Sequence, residues 1–336
     1  MSEVLKATAI GPSNIAFTKY WGQLDSVLVL ANNDSISMTL GTCVARTTVC
    51  FSSEYGEDRV TLGFMGGEDV DVVGSKSARV VAQLDRLREM AGVDLKARVL
   101  SHTSFPEGAG IASSAAGFSA LTLAASEALD LEFGRKELSI QTRLAGSGSA
   151  CRSVYGGFVR WRAGETSETS CAEQIAPADH WQLRDIVAVV SKGEKKVSSL
   201  GGHRLAPTSP HYARRLELMP ERNDRVQEAI LTRDIEKLGV VTEEDAVDLH
   251  VMAMTSNPPV YYWNEGSVRL MREVREWRGE GVPCYFTFDA GPNAHIICEK
   301  GYEEEVVQRV KSLEVASSVL VNEPGEGSRV TLDHLF

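Results

Sequence analysis

The pattern of apolar and polar residues predicts a chain in which strands and helices are mixed. Helical spacing is clearest where Val80, Leu84, Leu87 and Ala91 recur, and short apolar stretches bounded by turn residues are typical of strands. The predicted strands span 4–10, 26–31, 35–40, 43–52, 59–64, 96–101, 157–161, 186–191 and 284–288. The predicted helices span 80–91, 136–145, 211–219, 222–253 with breaks, 265–279 and 303–313. A further, alanine-rich helix is predicted to open from the stretch 106–117 and to end near Leu129. Because the order is not regularly β-α-β, we expect an α+β fold.

The length of the chain predicts two domains. It has 336 residues, of which 43% are hydrophobic, enough for two ordinary cores. The polar stretch at 163–180 is the best candidate for a boundary. We therefore expect an N-terminal domain at 1–180 and a C-terminal domain at 181–336.

Charge and composition narrow the classes of partner. The net charge is −11, which argues against nucleic acid, although a few local cations can still bind a small anion. The N-terminus predicts no signal peptide, and no apolar stretch is long enough to predict a membrane span. The six cysteines form no close Cys-x-x-Cys pair, so we expect reduced thiols, no zinc site and a cytoplasmic protein.

The stretch PEGAGIASSAAGFSA at 106–120 is a candidate anion site. Gly108 and Gly110 allow close backbone approach, and Ser113 and Ser114 add hydroxyls where a helix begins. No Lys-Ser or Lys-Thr follows the glycines, so this is not a Walker A loop. The alternative is a glycine turn before a serine-capped helix.

Three charged residues stand apart in apolar or small-residue surroundings. Lys19 lies within NIAFTKYWG, Arg152 within GSGSACRS, and Asp289 ends the apolar stretch CYFTF. Arginine suits bidentate recognition of a carboxylate, and a lysine near an aspartate favours and orients the ionised acid. Together they predict a site for carboxylate binding and proton transfer. The alternative for each cation is a solvated surface position.

These motifs resemble a known family. PEGAGIASSAA is similar to the phosphate loop of the GHMP kinases. NIAFTKYWG, GSGSACRSVYGGFVRW, the EKK of 194–196, NPPVYY and FDAGPNA resemble diphosphomevalonate decarboxylases, from about residue 8 to about residue 300. The resemblance implies an N-terminal domain of the ribosomal S5 domain 2 type and a C-terminal ferredoxin-like domain, with the active site in the cleft between them. Members of the family are usually homodimers.

The resemblance also implies a reaction and roles for residues. ATP phosphorylates the tertiary 3-hydroxyl of a 5-phosphorylated mevalonate, and phosphate and CO₂ then leave to form an alkene. The implied catalytic residues are Asp289, Lys19 and Arg152, with Arg152 also binding the substrate carboxylate. The implied substrate contacts are Asn14, Tyr20, Gln23, Ser147 and Ser149. The implied sites for ATP and Mg²⁺ are Gly108, Ala109, Gly110, Ala112, Ser113 and Ser114, the two serines also serving the metal.

Two departures from the family pattern concern the phosphate end of the substrate. The family usually continues KYWG with a lysine, where this chain has the neutral Gln23. After EKKVSS, where the family commonly has a glycine-methionine pair, the chain continues as Leu200-Gly201-Gly202 and then His203 and Arg204. These two residues either rebuild a phosphate site or lie on the surface. The lost lysine predicts mevalonate 5-phosphate as substrate and isopentenyl phosphate as product, with the diphosphate as the alternative.

The sequence leaves two alternative functions, a kinase without decarboxylase activity and an inactive homologue. A small-molecule kinase of the GHMP group, such as one that phosphorylates only the 3-hydroxyl of mevalonate, would explain the serine loop but not FDAGPNA or GSGSACRS. An inactive homologue would be expected to lack Asp289, Lys19 or a loop serine, and none is missing. The histidines at 102, 250 and 295 have no metal-binding spacing and are predicted to be structural.

Overall fold

The structure is a computed structural model that describes residues 4–64, 67–105, 111–191 and 197–336. The strands of the described residues are β1 (Val4–Thr18), β2 (Gln23–Asp25), β3 (Leu30–Ala31), β4 (Ser35–Ser52), β5 (Arg59–Phe64), β6 (Val70–Asp71), β7 (Lys96–Thr103), β8 (Phe158–Trp161), β9 (Ala172–Ala176), β10 (Leu183–Val189), β11 (Cys284–Phe288), β12 (Ala294–Glu299), β13 (Ser318–Asn322) and β14 (Arg329–Thr331). The helices are α1 (Ser75–Ala91), α2 (Ser113–Ala128), α3 (Arg135–Leu144), α4 (Ser199–Leu205), α5 (Tyr212–Thr232), α6 (Ile235–Met254), α7 (Glu265–Gly279) and α8 (Glu303–Ser312). The predicted α+β class is confirmed.

Two sheets organise the chain. The first has the order β14-β1-β4-β7-β5-β6, with β8 pairing to β4 and β9 to β8. The second has the order β11-β12-β10-β13 and is antiparallel where its strands pair. The short strands β2 and β3 form a separate hairpin directly after β1. The last strand, β14, returns to the first sheet and pairs with β1.

The helices pack in layers around these sheets. Helices α1 and α2 cover one face of the first sheet through a core that includes Leu84, Phe118 and Leu121. Helices α7 and α8 cover one face of the second sheet. A third core joins Phe17 of β1 to Val187 of β10 and to residues of α5 and α6. Helix α6 therefore contacts both β1 and β11, the strands that precede Lys19 and Asp289.

Several predicted elements differ from the structure. The strands expected at 35–40 and 43–52 are one strand, β4, which continues through Gly41 because the Gly41 N–H donates to the Glu323 carbonyl. Of the strand expected at 26–31, only β3 forms. The polar stretch at 163–180 contains β9, which pairs with β8 of the first sheet. The expected break near Pro220 is also absent, since α5 runs through this proline and ends at Thr232.

Helix α4 and the strands β13 and β14 had no prediction from the sequence. No helix in the described part of the chain is both long enough and apolar enough to cross a membrane. The cysteines are all free thiols, buried except for the half-buried Cys171, as expected for reduced thiols. The division of the chain at residue 180 stays a prediction.

Candidate active site

Lys19 and Asp289 meet at the ends of two strands from different sheets. Lys19 directly follows β1 and Asp289 directly follows β11. The Lys19 Nζ lies 2.8 Å from Asp289 Oδ1 and also donates to the Ala16 carbonyl at 2.6 Å. The Lys19 side chain is 4% exposed, whereas that of Asp289 is 25% exposed. The pair is therefore anchored on the buried lysine and accessible on the aspartate side.

Arg152 lies in a 3₁₀ turn at Gly148–Val154 and is almost fully buried. Its guanidinium donates to Ser37 Oγ at 2.9 Å, Ser35 Oγ at 2.5 Å and Asn14 Oδ1 at 3.0 Å. All three of these acceptors are neutral. Burial lowers the pKa of Arg152, and the charge of Asp289 opposes that shift. A buried cation held by neutral oxygens is suited to a ligand that supplies the negative charge.

Asn14 orients Arg152 from the first sheet. It lies in β1 next to a register shift against β4, the kind of irregularity that re-aims a side chain. While its Oδ1 accepts from Arg152, its Nδ2 donates to Ser153 Oγ at 2.8 Å and to the Ser149 carbonyl at 3.1 Å. Asn14 and Arg152, predicted from separate motifs, are thus direct partners.

A row of hydroxyls joins the two predicted serine groups. Ser114 Oγ lies 3.2 Å from Ser147 Oγ, which lies 3.4 Å from Ser149 Oγ. Ser113 and Ser114 are the first residues of α2, and Ala112 before them has a left-handed backbone with φ of 39°. The N-terminus of α2 carries unpaired backbone amides and the positive end of the helix dipole. Gly108, Ala109 and Gly110, and the EKK at 194–196, lie outside the described residues.

A cavity of about 590 Å³ opens beside the start of α2. Its lining comes from β5, β6, β7, α1 and α2, and includes Ser113, Ser114, Lys76 and Arg79. The apolar wall includes Val60, Leu62 and Phe64 of β5 and Val70 of β6. A cavity of this size with cations and a helix N-terminus at one end fits a nucleotide whose phosphates lie against α2.

Arg79 is a residue that the sequence analysis missed. Its guanidinium lies 4.7 Å from the centre of the Phe118 ring and donates to the Gly146 carbonyl at 2.9 Å. Burial lowers the pKa of Arg79. Arg79 therefore places a cation between the cavity and the Gly148–Val154 turn. In the sequence, Arg79 could have been recognised as an arginine directly before the apolar pair Val80 and Val81 of α1.

Ser35 and Ser37 were also missed. Both are fully buried in β4 and hold the guanidinium of Arg152. Alternation places Ser35, Ser37 and Thr39 on one face of this strand. The stretch SISMTL could have indicated this polar face, because it places a hydroxyl at every second position of an otherwise apolar strand.

Tyr20 and its neighbours form a stacked aromatic group. The Tyr20 ring lies edge-on to Trp161 at 4.7 Å and stacks on His203 at 4.3 Å. Burial raises the pKa of Tyr20 well above its ordinary value, so its hydroxyl stays protonated. A Cβ on Gly148 would lie 2.9 Å from this hydroxyl, which places Tyr20 against the Arg152 turn.

His203 is a core residue, not a surface one. It is buried, its Nδ1 accepts from the Gly22 N–H at 3.1 Å, and burial lowers its pKa to about 3. It is therefore neutral at physiological pH. Arg204 is exposed, in keeping with the surface alternative for that residue. Gln23 begins β2 directly after Gly22 and is half-buried.

The structure assigns no metal-binding role to the three histidines of the sequence analysis. His250 is neutral, since burial lowers its pKa to about 4, and it stacks on Trp263 at 4.3 Å. His295 pairs with Asp185 inside the second sheet, and His102 pairs with Asp69 near the surface. Within the described ranges, no group of three or more His, Cys, Asp or Glu could hold a metal ion. A Mg²⁺ ion here would depend on Ser113, Ser114 and the phosphates of a nucleotide, the usual mode for that metal.

The mixed α+β fold, together with its likeness to solved mevalonate diphosphate decarboxylase structures, identifies an enzyme with the GHMP-kinase fold. The model of the diphosphomevalonate decarboxylase-like N-terminal domain matches residues 11–172, and the model of the mevalonate 5-diphosphate decarboxylase C-terminal domain matches residues 185–324. The chain belongs to the diphosphomevalonate decarboxylase family, as the sequence motifs indicated.

Individual relatives agree with this assignment. The diphosphomevalonate decarboxylase of Aspergillus fumigatus is 37% identical over 330 residues, which cover 92% of this chain and 81% of that protein. The mevalonate diphosphate decarboxylase of Staphylococcus aureus is 34% identical, with a TM-score of 0.92 and 98% of each chain covered. A structure of MDDEF in complex with MVAPP, AMPPCP and magnesium is 35% identical, with a TM-score of 0.90, covering 98% of this chain and 99% of that one.

Proposed function

We propose that this protein decarboxylates mevalonate 5-diphosphate in an ATP-dependent reaction that yields isopentenyl diphosphate, ADP, phosphate and CO₂. The observation that carries the proposal is the 2.8 Å contact between Lys19 Nζ and Asp289 Oδ1, which joins a partly exposed carboxylate to a buried cation. Asp289 accepts or orients the proton of the 3-hydroxyl as its oxygen attacks the γ-phosphorus of ATP. Lys19 holds Asp289 ionised and stabilises the negative charge of the transferring group.

Arg152 is assigned to the substrate carboxylate. Its guanidinium is buried and its described partners Ser35, Ser37 and Asn14 are neutral, so a carboxylate would supply the missing charge. After phosphorylation of the 3-hydroxyl, the bond to the carboxylate carbon breaks and its electron pair forms the alkene. The carbon–oxygen bond to the phosphate breaks in the same elimination. Arg152 fixes the carboxylate while these bonds change.

The nucleotide is assigned to the cavity beside α2. Ser113 and Ser114 would meet its phosphates, and Arg79 and Lys76 would supply positive charge from α1. Bound Mg²⁺ would neutralise charge on the phosphates. The row from Ser114 through Ser147 to Ser149 leads from the helix start to the Arg152 turn, so the two substrates can lie next to each other. Gly108, Ala109 and Gly110 stay predicted contacts of ATP.

The relatives support the diphosphate over the monophosphate that the sequence motif predicted. Both family models and the Aspergillus fumigatus relative are named for the diphosphate. The monophosphate is the second candidate, because Gln23 is neutral where the family commonly has a lysine. The test is kcat/KM for CO₂ release with each compound at saturating ATP. We expect the diphosphate to be preferred, and a clear preference for mevalonate 5-phosphate would overturn the substrate assignment.

Assembly and location follow the family expectation. We propose a homodimer without nucleic-acid or membrane partners, in the cytoplasm. Sedimentation velocity of the purified chain would test the dimer, and a monomer at micromolar concentration would refute it.

A further inference from the structure

The backbone of Lys19 is held by three buried side chains, two of which carry opposite charges. The Lys19 N–H donates to Asp245 Oδ2 at 2.8 Å, and the Lys19 carbonyl accepts from Arg215 Nη2 at 2.9 Å and from the neutral Asn33 Nδ2 at 3.1 Å. Asp245 lies in α6 and Arg215 in α5. Both polar groups of the Lys19 backbone are thus bound by the helices that lie between the two sheets, rather than by a neighbouring strand alone.

Arg215 and Asp245 belong to a larger charged cluster. Both have 0% side-chain exposure, and Arg215 Nη2 lies 2.9 Å from Asp245 Oδ1. Arg215 also pairs with Asp248 at 2.8 Å, and Arg222 pairs with the same Asp248 at 2.6 Å. A buried ion pair of this kind is often no more stabilising than an apolar replacement of the same shape. Its geometry, however, is demanding, because each charge must meet its partners in fixed directions.

The position of this cluster connects it to the reacting groups. Helix α6 packs against β1, which ends one residue before Lys19, and against β11, which ends one residue before Asp289. A shift of the Lys19 backbone would change the position from which its side chain reaches Asp289 Oδ1. A displacement of about 1 Å at a reacting group can cost about 100-fold in rate.

We infer that Arg215 and Asp245 are positioning residues for the proposed reaction: by binding the carbonyl and N–H of Lys19, they fix its ammonium group against Asp289. The kinetic part of this inference rests on the proposed function, whereas the geometric part does not. Neither residue touches the reacting atoms, and their effect passes through Lys19.

The kinetic test compares Arg215→Met with Arg222→Met. Arg222 pairs with Asp248 at 2.6 Å and more distantly with Asp245 at 3.5 Å, but it makes no hydrogen bond to Lys19. Both variants are assayed for CO₂ release at a temperature well below their melting temperatures. We expect R215M to lose about 10- to 100-fold in kcat, with KM for both substrates within about threefold of wild type. R222M should keep kcat within about twofold.

Equal losses of kcat in the two variants, or an unchanged kcat in R215M, would overturn the inference. If R215M fails to fold, Arg215→Lys keeps the charge but lacks the planar fork that reaches Lys19 and both carboxylates at once. It should then lose about 3- to 10-fold in kcat at a nearly normal melting temperature. A wild-type kcat in R215K would count against the inference.

A structural readout separates this inference from the proposed function. In a crystal structure of R215M, or of R215K, we expect the Lys19 Nζ to lie beyond hydrogen-bond distance of Asp289. If it stays within that distance, the inference fails whatever the substrate. If the wild-type chain releases no CO₂ from either phosphorylated mevalonate, the proposed function fails, and the Lys19–Asp289 distance still decides the role of Arg215.

Discussion

The Lys19 Nζ donates to Asp289 Oδ1 at 2.8 Å, although 270 positions separate the two residues in the chain. One comes from the end of β1 in the first sheet and the other from the end of β11 in the second. The site is complete only when both sheets are folded and packed through α5 and α6. The proposed chemistry therefore depends on the packing of the two sheets.

Replacing Asp289 with asparagine should abolish turnover without preventing nucleotide binding. The amide keeps the size of the side chain but cannot accept the proton of the 3-hydroxyl, so we expect kcat to fall by about 10²- to 10⁴-fold. CO₂ release measures the loss, and calorimetric titration with a non-hydrolysable ATP analogue checks binding. Turnover within a few-fold of wild type would remove Asp289 from the chemistry.

Replacing Arg152 with lysine should weaken binding of the substrate carboxylate. Lysine keeps the charge but not the fork of donors, and we expect kcat/KM for the phosphorylated mevalonate to fall by about 10- to 100-fold. Steady-state kinetics at saturating ATP give the value. The matched control is Arg160→Lys in β8, a buried arginine that pairs with Asp34 at 2.8 Å. A similar loss in both variants would show a general packing effect.

Placing a lysine at Gln23 should favour the more highly charged substrate. A new cation near the phosphate end is worth one charged hydrogen bond, so the ratio of kcat/KM for diphosphate over monophosphate should rise about tenfold. The control is Leu24→Lys at the neighbouring position, which is 60% exposed and should leave the ratio unchanged. An equal rise in both variants would point to long-range attraction, and no rise in Q23K would place Gln23 away from the phosphates.

The buried pair of His295 and Asp185 should stabilise the fold more at low pH than at high pH. Burial alone would lower the pKa of His295, but the Asp185 carboxylate at 3.0 Å outweighs it and raises the pKa above the ordinary value. The stabilisation is then fully present below the unfolded pKa of about 6.5 and is lost as pH rises through the folded pKa.

Urea unfolding of wild type and His295→Gln at pH 6 and pH 9 measures this effect. The amount by which the free energy of unfolding of the wild type exceeds that of His295→Gln should be larger at pH 6 than at pH 9. His102→Gln serves as the control, because its pair with Asp69 is partly exposed to solvent (23% for His102 and 44% for Asp69), whereas the His295–Asp185 pair is buried. A wild-type excess that grows with pH would contradict the charged pair.

Local sequence patterns predicted the regular elements well where one physical signal dominated. Helix α7 matches its prediction at both ends, because Asn264 forms a capping box with Ser267 and the helix closes at a glycine. The predicted gap between residues 219 and 222 is wrong, because α5 continues through Pro220 and the backbone hydrogen bond lost there is outweighed. The buried residues Arg215, Met219 and Asn223 on either side of it pack on one helix face.

The sequence singled out candidate site residues but not the contacts that join them. The charged side chains at 19, 152 and 289 stood out, because each lies in apolar or small-residue surroundings. The partners of the Lys19 backbone gave no such signal: Arg215 and Asp245 sit among many charged residues on amphipathic helices, and only tertiary packing buries them. Likewise, His203 carried no periodic signal and was not distinguished from a surface histidine, yet it stacks beneath Tyr20.

The most direct test of the central claim is a balance of products from a single reaction. Purified wild-type protein is incubated with ATP, Mg²⁺ and mevalonate 5-diphosphate, and ADP, phosphate and CO₂ are measured together. We predict equal amounts of all three, with isopentenyl diphosphate as the organic product. ATP consumed with neither CO₂ nor free phosphate released would show a kinase that stops at the phosphorylated 3-hydroxyl, and would contradict the proposed decarboxylation.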